Sequence, residues 1–279
     1  MDKSIPQKLE YGAGTNVGLV RSNNEDTYLA APEHGLWLIA DGMGGHDAGE
    51  VASSIVKESV LQSVKDGISL KDAIRQSHLD VKEAARQNIG SPNMGTTIVA
   101  LLTNSHTYQI GWVGDSRAYL WDPLSQKFTQ LSKDHSYVQA LLDSGVITPE
   151  EVQHHAQKNI ITQSLGVSEL EDVQVDTIEG QWRTGQKIIL CSDGLSDLVD
   201  HKELSDIVRK HHSRSNQELV DTLIETALGK GGIDNVSVEV ISAPSQIQTA
   251  TGNAATPSRI VFAGGIILLA MLVAWAFLQ

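Results

Sequence analysis

The chain has 279 residues, with 21 Lys and Arg against 34 Asp and Glu, so its formal net charge is −13. Its 41% hydrophobic content is too high for a disordered chain, and its acidic surface disfavours binding to the phosphates of nucleic acids. The single cysteine, Cys191, cannot form an internal disulfide, which argues against a secreted, disulfide-built domain and favours the cytosol.

The predicted strands and helices come in groups. Apolar or alternating runs predict strands, and amphipathic spacing predicts helices. In chain order, the sequence predicts a strand over 36–40, helices over 52–64 and 70–84, strands over 97–102, 108–113 and 118–121, a short helix from 148, a strand over 187–191, a helix over 215–228 and a strand over 236–241. Ser69 with Asp72 and Ser215 with Glu218 have the spacing of helix N-terminal caps. This grouping favours an α+β fold over a doubly wound parallel sheet.

The last part of the chain differs in composition from the rest. Residues 260–278 are 19 uncharged, mostly apolar residues, and as a helix they would extend for about 28 Å, close to the thickness of a bilayer's hydrocarbon core. A buried core helix is the alternative, but such helices are usually shorter and keep a polar face. We therefore expect a folded domain over 1–243, a flexible linker of small polar residues over 244–259 and a transmembrane helix over 260–278.

The expected topology follows from the two flanks of this segment. The first twelve residues lack the apolar stretch of a signal peptide, and Arg259 precedes the apolar segment, in keeping with the positive-inside rule. We expect a single-pass C-terminal anchor that leaves residues 1–243 in the cytoplasm.

Four aspartates lie at the ends of predicted strands: Asp41, Asp115, Asp193 and Asp234. Each one alone is explained by ordinary turn chemistry. Together, at the rim of buried strands, their like charges would repel one another unless cations neutralised them. Hard divalent ions such as Mg²⁺ and Mn²⁺ prefer oxygen ligands of this kind. The pattern therefore predicts a carboxylate site for several metal ions.

A zinc site is disfavoured, because zinc prefers closely spaced Cys and His ligands. The pairs His154–His155 and His211–His212 put adjacent side chains in diverging directions on a helix, so we expect them to be solvated. Cys191 lies inside a predicted strand, and we expect a packed thiol there rather than a nucleophile.

Six short motifs follow one another along residues 10–242. They are GLVRSNNED (18–26), DGMGG followed by GE (41–50), MGTT (94–97), GDSRAYL (114–120), CSDGLSD (191–197) and DNVS (234–237). Together they resemble the metal-dependent serine/threonine protein phosphatases, the PPM or type 2C family, with spelling closest to its bacterial branch. The resemblance implies a central antiparallel β-sandwich flanked by helices, in a four-layer α-β-β-α arrangement with the metals in a cleft at one edge.

The resemblance also implies a metal site, with two Mn²⁺ or Mg²⁺ ions and a weaker third. By match to the family's motifs, its ligands are six acidic side chains and one backbone carbonyl: Asp41, Gly42, Asp193, Asp234, Asp115, Glu25 and Asp26.

These residues would have different parts in the site. Asp41 would bridge two ions, and Asp115 would act with Asp193 on the third. Glu25 and Asp26 would act largely through metal-bound water. Arg21 matches the position that grips the substrate phosphate, for which a guanidinium fork is suited. The implied catalytic residues are thus Arg21, Asp41, Asp193 and Asp234.

The implied activity is hydrolysis of phosphoserine and phosphothreonine in proteins by a metal-activated water, without a phosphoenzyme. Phosphoproteins would be the substrates, with a membrane-associated serine/threonine kinase as a candidate partner. The alternatives are a catalytically inactive phosphoprotein-binding scaffold and a phosphatase for small phosphomonoesters.

One residue departs from the family pattern, and one segment falls where the family is variable. Many eukaryotic members have a histidine, proposed as general acid, where this chain has Met43, and His46 and water remain candidates for that proton. Residues 132–166 fall where the family carries a variable flap beside the cleft, so we expect substrate choice to reside there.

Overall fold

The structure is a computed structural model that describes residues 9–44, 48–152, 155–167 and 172–245. The predicted transmembrane helix over 260–278 lies outside these residues, as does nearly all of the predicted linker over 244–259. Within the described ranges, no helix combines the length and the apolar character needed to cross a membrane. All of the described residues belong to one structural unit, Met1–Ile247.

The first sheet of the described part has five strands. They are β1 (Tyr11–Asn16), β8 (Arg117–Asp122), β9 (Lys127–Gln130), β11 (Lys187–Cys191) and β12 (Val236–Ser242). Their order across the sheet is β1-β12-β11-β8-β9, and every neighbouring pair is antiparallel.

The second sheet also has five described strands. They are β2 (Thr27–Ala31), β3 (Leu36–Ala40), β6 (Ile98–Thr103), β7 (Thr107–Val113) and β10 (Asp176–Gln181). Their order is β10-β7-β6-β3-β2, again antiparallel throughout. A small ladder joins β4 (Gly42–Met43) to β5 (Gly95–Thr96) just beyond the end of β3.

Helices flank both sheets. They are α1 (Ala48–Lys65), α2 (Leu70–Arg86), α3 (Tyr137–Asp143), α4 (Pro149–Val152), α5 (Asp193–Ser196), α6 (His201–His211) and α7 (Asn216–Gly229), with one 3₁₀ turn at Pro32–His34. The two predicted helix caps are confirmed. The Ser69 hydroxyl accepts a hydrogen bond from the Asp72 amide, and Ser215 and Glu218 form a reciprocal capping box.

Three clusters of buried apolar side chains fill the spaces between these layers. Along β3, Leu36 and Leu38 pack against α1 and α2, whereas Trp37 and Ile39 face the first sheet. Val238 of β12 faces the side covered by α6 and α7. Because both faces of the central strands are covered, these strands are largely apolar, and β3 is buried along its whole length. The antiparallel sandwich in a four-layer α-β-β-α arrangement is therefore confirmed for the described residues.

The expectation that His211 is solvated is wrong. His211 follows Leu204 and Val208 at helical spacing on the buried stripe of α6, so only 9% of its surface is exposed. Its neighbour His212 lies on the outer side, within 2.8 Å of the Arg209 carbonyl oxygen. Cys191 is buried in β11 as expected, and burial raises the pKa of its thiol to about 12.

Candidate metal centre

Asp41 is held in place by the backbone and hydroxyls of the MGTT motif. It directly follows β3, and its carbonyl oxygen accepts hydrogen bonds from the Thr97 amide at 2.8 Å and the Thr96 hydroxyl at 2.9 Å. Its own amide donates to the Thr97 hydroxyl oxygen at 3.2 Å, and that hydroxyl is 2.7 Å from the Ser116 hydroxyl. The motifs around residues 96 and 116 therefore fix the orientation of the Asp41 backbone.

Gly42 sits where the chain passes closest to α1. A Cβ atom at this position would lie 2.3 Å from the Gly49 carbonyl oxygen and 2.6 Å from the Glu25 carbonyl oxygen. Only glycine fits there, and its small size lets the start of α1 and the Glu25 loop lie beside Asp41.

Asp193 and Asp234 are brought together by a second close approach. Asp193 begins α5 immediately after β11, while Asp234 precedes β12, the next strand in the sheet. A Cβ atom on Gly194 would lie 1.9 Å from the Asn235 carbonyl oxygen. The glycine thus allows the two aspartates to reach one cleft from separate segments.

Asn235 ties the loop before Glu25 to β12, a role that the sequence reasoning missed. Its buried side-chain amide donates to the carbonyl oxygens of Val17 and Asn23, both at 2.9 Å, and its Oδ1 accepts from the Glu25 amide at 2.8 Å. The DNVS motif contained the signal, because asparagine can donate and accept at once whereas aspartate cannot.

The resulting cleft has a volume of about 670 Å³ and holds six of the eight predicted site residues. These are Arg21, Glu25, Asp41, Gly42, Asp193 and Asp234. Met43, Asn159 and Ile161 also line it, and the last two belong to the segment expected to form the flap. His46 lies outside the described residues.

Asp26 does not line the cleft but lies behind it. Its carboxylate accepts hydrogen bonds from the hydroxyls of Ser192 at 2.8 Å and Ser237 at 2.7 Å. Burial raises the pKa of Asp26 to about 7, although the two hydroxyls oppose the shift. In this arrangement Asp26 joins the strands behind Asp193.

Asp115 lines a separate, small cavity of about 50 Å³, which it shares with Asp193. The residue is only 8% exposed, and its Oδ1 has no hydrogen-bond partner. Burial, followed by repulsion from Asp193, raises the pKa of Asp115 well above its ordinary value. The structure thus brings Asp115 and Asp193 to one cavity.

The charges in the cleft are unbalanced. The carboxyl groups of Asp41 and Asp193 interact in the cleft, and repulsion from Asp193 adds to burial in raising the pKa of Asp41 well above its ordinary value. Burial also raises the pKa of Asp193, to about 6. Arg21 Nη2 is 2.7 Å from Asp234 Oδ2, so this arginine neutralises a predicted ligand.

This donor set fits hard divalent ions. Its atoms are carboxylate and carbonyl oxygens, one of which, Asp115 Oδ1, is buried without a hydrogen-bond partner, and the repulsion between the Asp41 and Asp193 carboxyl groups is of the kind that a cation relieves. Across the described residues, no group of three or more acidic, histidine or cysteine side chains is arranged as a ready-made metal cage. The chemistry of the donors therefore carries the assignment to Mn²⁺ or Mg²⁺.

The comparison with known families decides the relationship. The family model described as "Protein phosphatase 2C" matches residues 14–229. The chain belongs to the protein phosphatase 2C family. The match spans five of the six motifs in full, and only DNVS at 234–237 lies beyond it. The family resemblance inferred from the motifs is confirmed.

Curated bacterial members are similar along most of this chain. The serine/threonine protein phosphatase PstP of Mycobacterium tuberculosis is 37% identical over 238 residues, which are 83% of this chain. The chain spans 44% of the length of that relative. The serine/threonine phosphatase stp of Listeria welshimeri is 34% identical over 240 residues, which are 81% of this chain and 93% of the relative.

Solved structures of the family have the same fold. The catalytic domain of PstP in complex with two manganese ions aligns with a TM-score of 0.73 at 35% identity, covering 84% of this chain and 97% of that domain. That relative holds two manganese ions, in agreement with the two-ion site that the sequence predicts here.

Proposed function

We propose that this member of the family hydrolyses phosphoserine and phosphothreonine in proteins. The observation that carries the proposal is the convergence of three carboxyl groups, those of Asp41, Asp193 and Asp234, on one cleft that Arg21 also lines. Such a group of like charges is costly without cations, and a cleft of this kind admits a phosphorylated side chain. The named activity of the curated relatives supports the same conclusion.

The residues of the cleft would have different roles in the reaction. Asp41, Gly42, Asp193 and Asp234 would hold two divalent ions, and when bound such ions activate a water molecule and neutralise charge on the phosphoryl oxygens. Arg21 has 53% of its side chain exposed and would turn its guanidinium group from Asp234 to the substrate phosphate. Met43 lines the cleft but has no ionisable proton to give to the leaving oxygen.

The direct test is phosphate release from a phosphoserine peptide in the presence of Mn²⁺. We expect release that EDTA abolishes and that Asp193→Asn reduces by roughly a hundredfold or more. Asp206→Asn is the matched control, because Asp206 is an exposed residue of α6 that forms an ion pair with the neighbouring Arg209 and does not line the cleft. Release that survives EDTA, or that Asp193→Asn leaves unchanged, contradicts the proposal.

The two alternatives make different predictions. An inactive phosphoprotein-binding scaffold is not favoured, because Asp41, Asp193 and Asp234 all line the cleft. A small-phosphomonoester phosphatase predicts faster turnover of phosphorylated metabolites than of phosphoserine peptides. We expect the reverse order when both substrate classes are compared at equal concentration.

The second part of the proposal is attachment to the cytoplasmic face of a membrane through residues 260–278. Its support is the run of 19 uncharged residues, preceded by Arg259 and a small polar linker. Tethering would raise the local concentration of membrane-bound phosphoproteins, so a membrane-associated serine/threonine kinase is the proposed partner class. After cell fractionation, we expect the full chain in the membrane fraction and a chain truncated after Ala243 in the soluble fraction. Equal partitioning of the two chains contradicts this part.

A further inference from the structure

The chain leaves the first sheet at the end that lies opposite the predicted metal ligands. Lys187, the first residue of β11, pairs in register with Trp121 of β8 on one side and with Ser242 of β12 on the other. Cys191 ends the same strand, and the ligand Asp193 begins α5 two residues later. The row of residues through Ser242, which we call the exit row, is therefore about 13 Å along the strands from the row that adjoins the ligands.

Two turns are fixed beside the exit row by hydrogen bonds. The turn between α6 and α7 leads into Asn216, whose side-chain amide donates to the Ser242 hydroxyl oxygen at 3.0 Å and whose Oδ1 accepts from Lys187 Nζ. In the turn before β11, the Gln186 carbonyl oxygen accepts from the Ala243 amide at 2.8 Å. Both turns thus lie next to the residues with which the chain leaves the sheet.

Each of these turns has exposed cations. Lys210 and Arg214 lie on either side of the end of α6, and both are exposed. Arg183 begins the turn before β11, and its side chain is 71% exposed. We call these three residues the exit cluster. Their positive charge is opposite in sign to the net charge of the chain, which is −13.

The acids near the exit cluster neutralise little of its charge. Within the described part of the chain, neither Lys210 nor Arg214 forms an ion pair. Arg183 Nη1 lies 3.8 Å from Asp122 Oδ2, close to the limit of an ion pair. Glu218, the first acid after Arg214, is engaged in the capping box with Ser215.

We infer that the exit cluster is a docking surface for the headgroups of anionic lipids. The charges are complementary, because Lys and Arg clusters close to a membrane-attached segment are drawn to an anionic lipid surface. The position also fits, because the sequence continues from Ala243 through residues 244–259 to the uncharged residues 260–278. The inference rests on the membrane attachment in the proposed function.

This docking would orient the folded unit. The exit end of the strands would face the bilayer, and the cleft at their other end would face away from it. Phosphorylated segments that lie at a distance from the membrane surface would then reach the cleft more readily than segments that adjoin the bilayer.

Labelling of lysines in the full chain, inserted into bilayer nanodiscs, tests the docking. The discs contain phosphatidylcholine alone or mixed with phosphatidylglycerol, and acetylation by an amine-reactive reagent is measured by mass spectrometry. We expect Lys210 to react about threefold to tenfold more slowly in the anionic discs, and high salt should remove the difference. Lys202, an exposed residue at the other end of the same helix, is the internal control and should react equally in both.

Charge reversal on the second turn supplies an independent test. Arg183→Glu should restore most of the labelling of Lys210 in anionic discs, although the two residues belong to different turns. Arg86→Glu is the matched control, because its side chain is also 71% exposed and it lies on α2, which packs against the second sheet.

Equal labelling of Lys210 in the two kinds of disc, or equal effects of Arg183→Glu and Arg86→Glu, overturns the inference. A full chain that fails to enter neutral discs would contradict the membrane attachment in the proposed function. A chain that enters them, with Lys210 unprotected in the anionic discs, would contradict only the docking of the exit cluster.

Discussion

Arg21 and Asp234 form an ion pair across the cleft in which each neutralises the other. The hydrogen bond to Asp234 raises the pKa of the Arg21 guanidinium group further, so this side chain stays charged in the whole working pH range. If divalent ions neutralised Asp234, the guanidinium group would be free to bind a dianionic phosphate. In the proposed function, substrate binding at Arg21 would therefore be coupled to metal binding at Asp234.

We predict that Arg21→Ala lowers kcat/KM for a phosphoserine peptide by about tenfold to a hundredfold, chiefly through KM, because a charged hydrogen bond to phosphate is lost. Arg21→Lys should recover only part of the loss, since an ammonium group cannot bind phosphate with a planar fork. Steady-state kinetics with Mn²⁺ checks this, and an unchanged KM in Arg21→Ala would show that the arginine has another role.

Glu239 is the second residue whose charge has consequences. Alternation along β12 places it on the same face as Ile241, between the two sheets, and its side chain is fully buried with both carboxylate oxygens unpartnered. Burial raises the pKa of Glu239 well above its ordinary value of 4.5. The folded protein therefore holds a proton that the unfolded chain releases above that pH.

We predict that Glu239→Gln is more stable than the unchanged chain and that its advantage grows as the pH rises above about 4.5, approaching about 1.4 kcal/mol per pH unit. The sign follows because the folded state binds more protons than the unfolded state in this range. Urea unfolding at pH 5 and pH 8 in EDTA measures the difference. Glu179→Gln, at an exposed position of β10, should show no such trend, and a constant difference across pH would contradict the prediction.

At the scale of elements, the site depends on how β12 is joined to the loop that precedes β2. Asn235 makes three hydrogen bonds to that loop, two as donor and one as acceptor. These bonds place Glu25 beside Asp41 and Gly42, which come from a different segment of the chain.

We predict that Asn235→Asp costs about 2–4 kcal/mol of unfolding free energy and weakens Mn²⁺ binding, because a carboxylate would face the two carbonyl oxygens that now accept from the amide. Denaturant unfolding and Mn²⁺ calorimetry measure the two effects. Asn104→Asp is the control, because Asn104 uses only its Oδ1, as acceptor for the amides of His106 and Thr107, and aspartate can do the same. Equal losses in both variants would mean that the loop tie is not specific.

The elements that the sequence predicts are those with a strong apolar or amphipathic pattern. The central strands β3, β7, β11 and β12 are predicted well, because both of their faces are covered. The edge strand β10 is missed, because it is largely exposed and reads DTIEGQ, without an apolar face. A helix is expected around His211, but the bounds of α6 are not predicted, because only three of its eleven residues are buried and the rest are mostly polar or charged.

The residues of the site are likewise predicted where they adjoin an element with a strong apolar pattern and missed where they do not. Asp41, Asp193 and Asp234 are predicted to meet because each lies at the end of a recognisable strand. Lys158 and Asn159 reach the two cavities from a turn without regular structure, so no periodic pattern in the sequence indicates their position. Asp197 lies within the CSDGLSD motif, but its approach to Asp193 depends on the path of α5.

At the scale of the whole molecule, the acidic cleft trades stability for the capacity to bind metal. Without cations, Asp41, Asp193 and Asp115 lie close together with raised pKa values, which destabilises the fold at neutral pH. Bound divalent ions would remove this repulsion and bind only to the folded chain, so metal and fold stabilise each other.

We predict that Mn²⁺ at about one hundred times its dissociation constant raises Tm by roughly 5–10 °C relative to EDTA. In Asp41→Asn the rise should largely disappear, while the metal-free protein becomes more stable than the unchanged chain because one buried carboxylate is gone. Differential scanning calorimetry in EDTA and in Mn²⁺ tests both statements. An equal rise in the two proteins would place the stabilising ions elsewhere.

The position of β12 between β1 and β11 sets the moment at which the site can form as the chain is synthesised. Arg21, Glu25 and Asp41 leave the ribosome early, but Asp234 and the strand that joins β1 to the rest of its sheet come near the end of the folded unit. A growing chain therefore carries half of the cleft without the means to close it. The complete cleft can therefore form only in chains whose translation has passed β12.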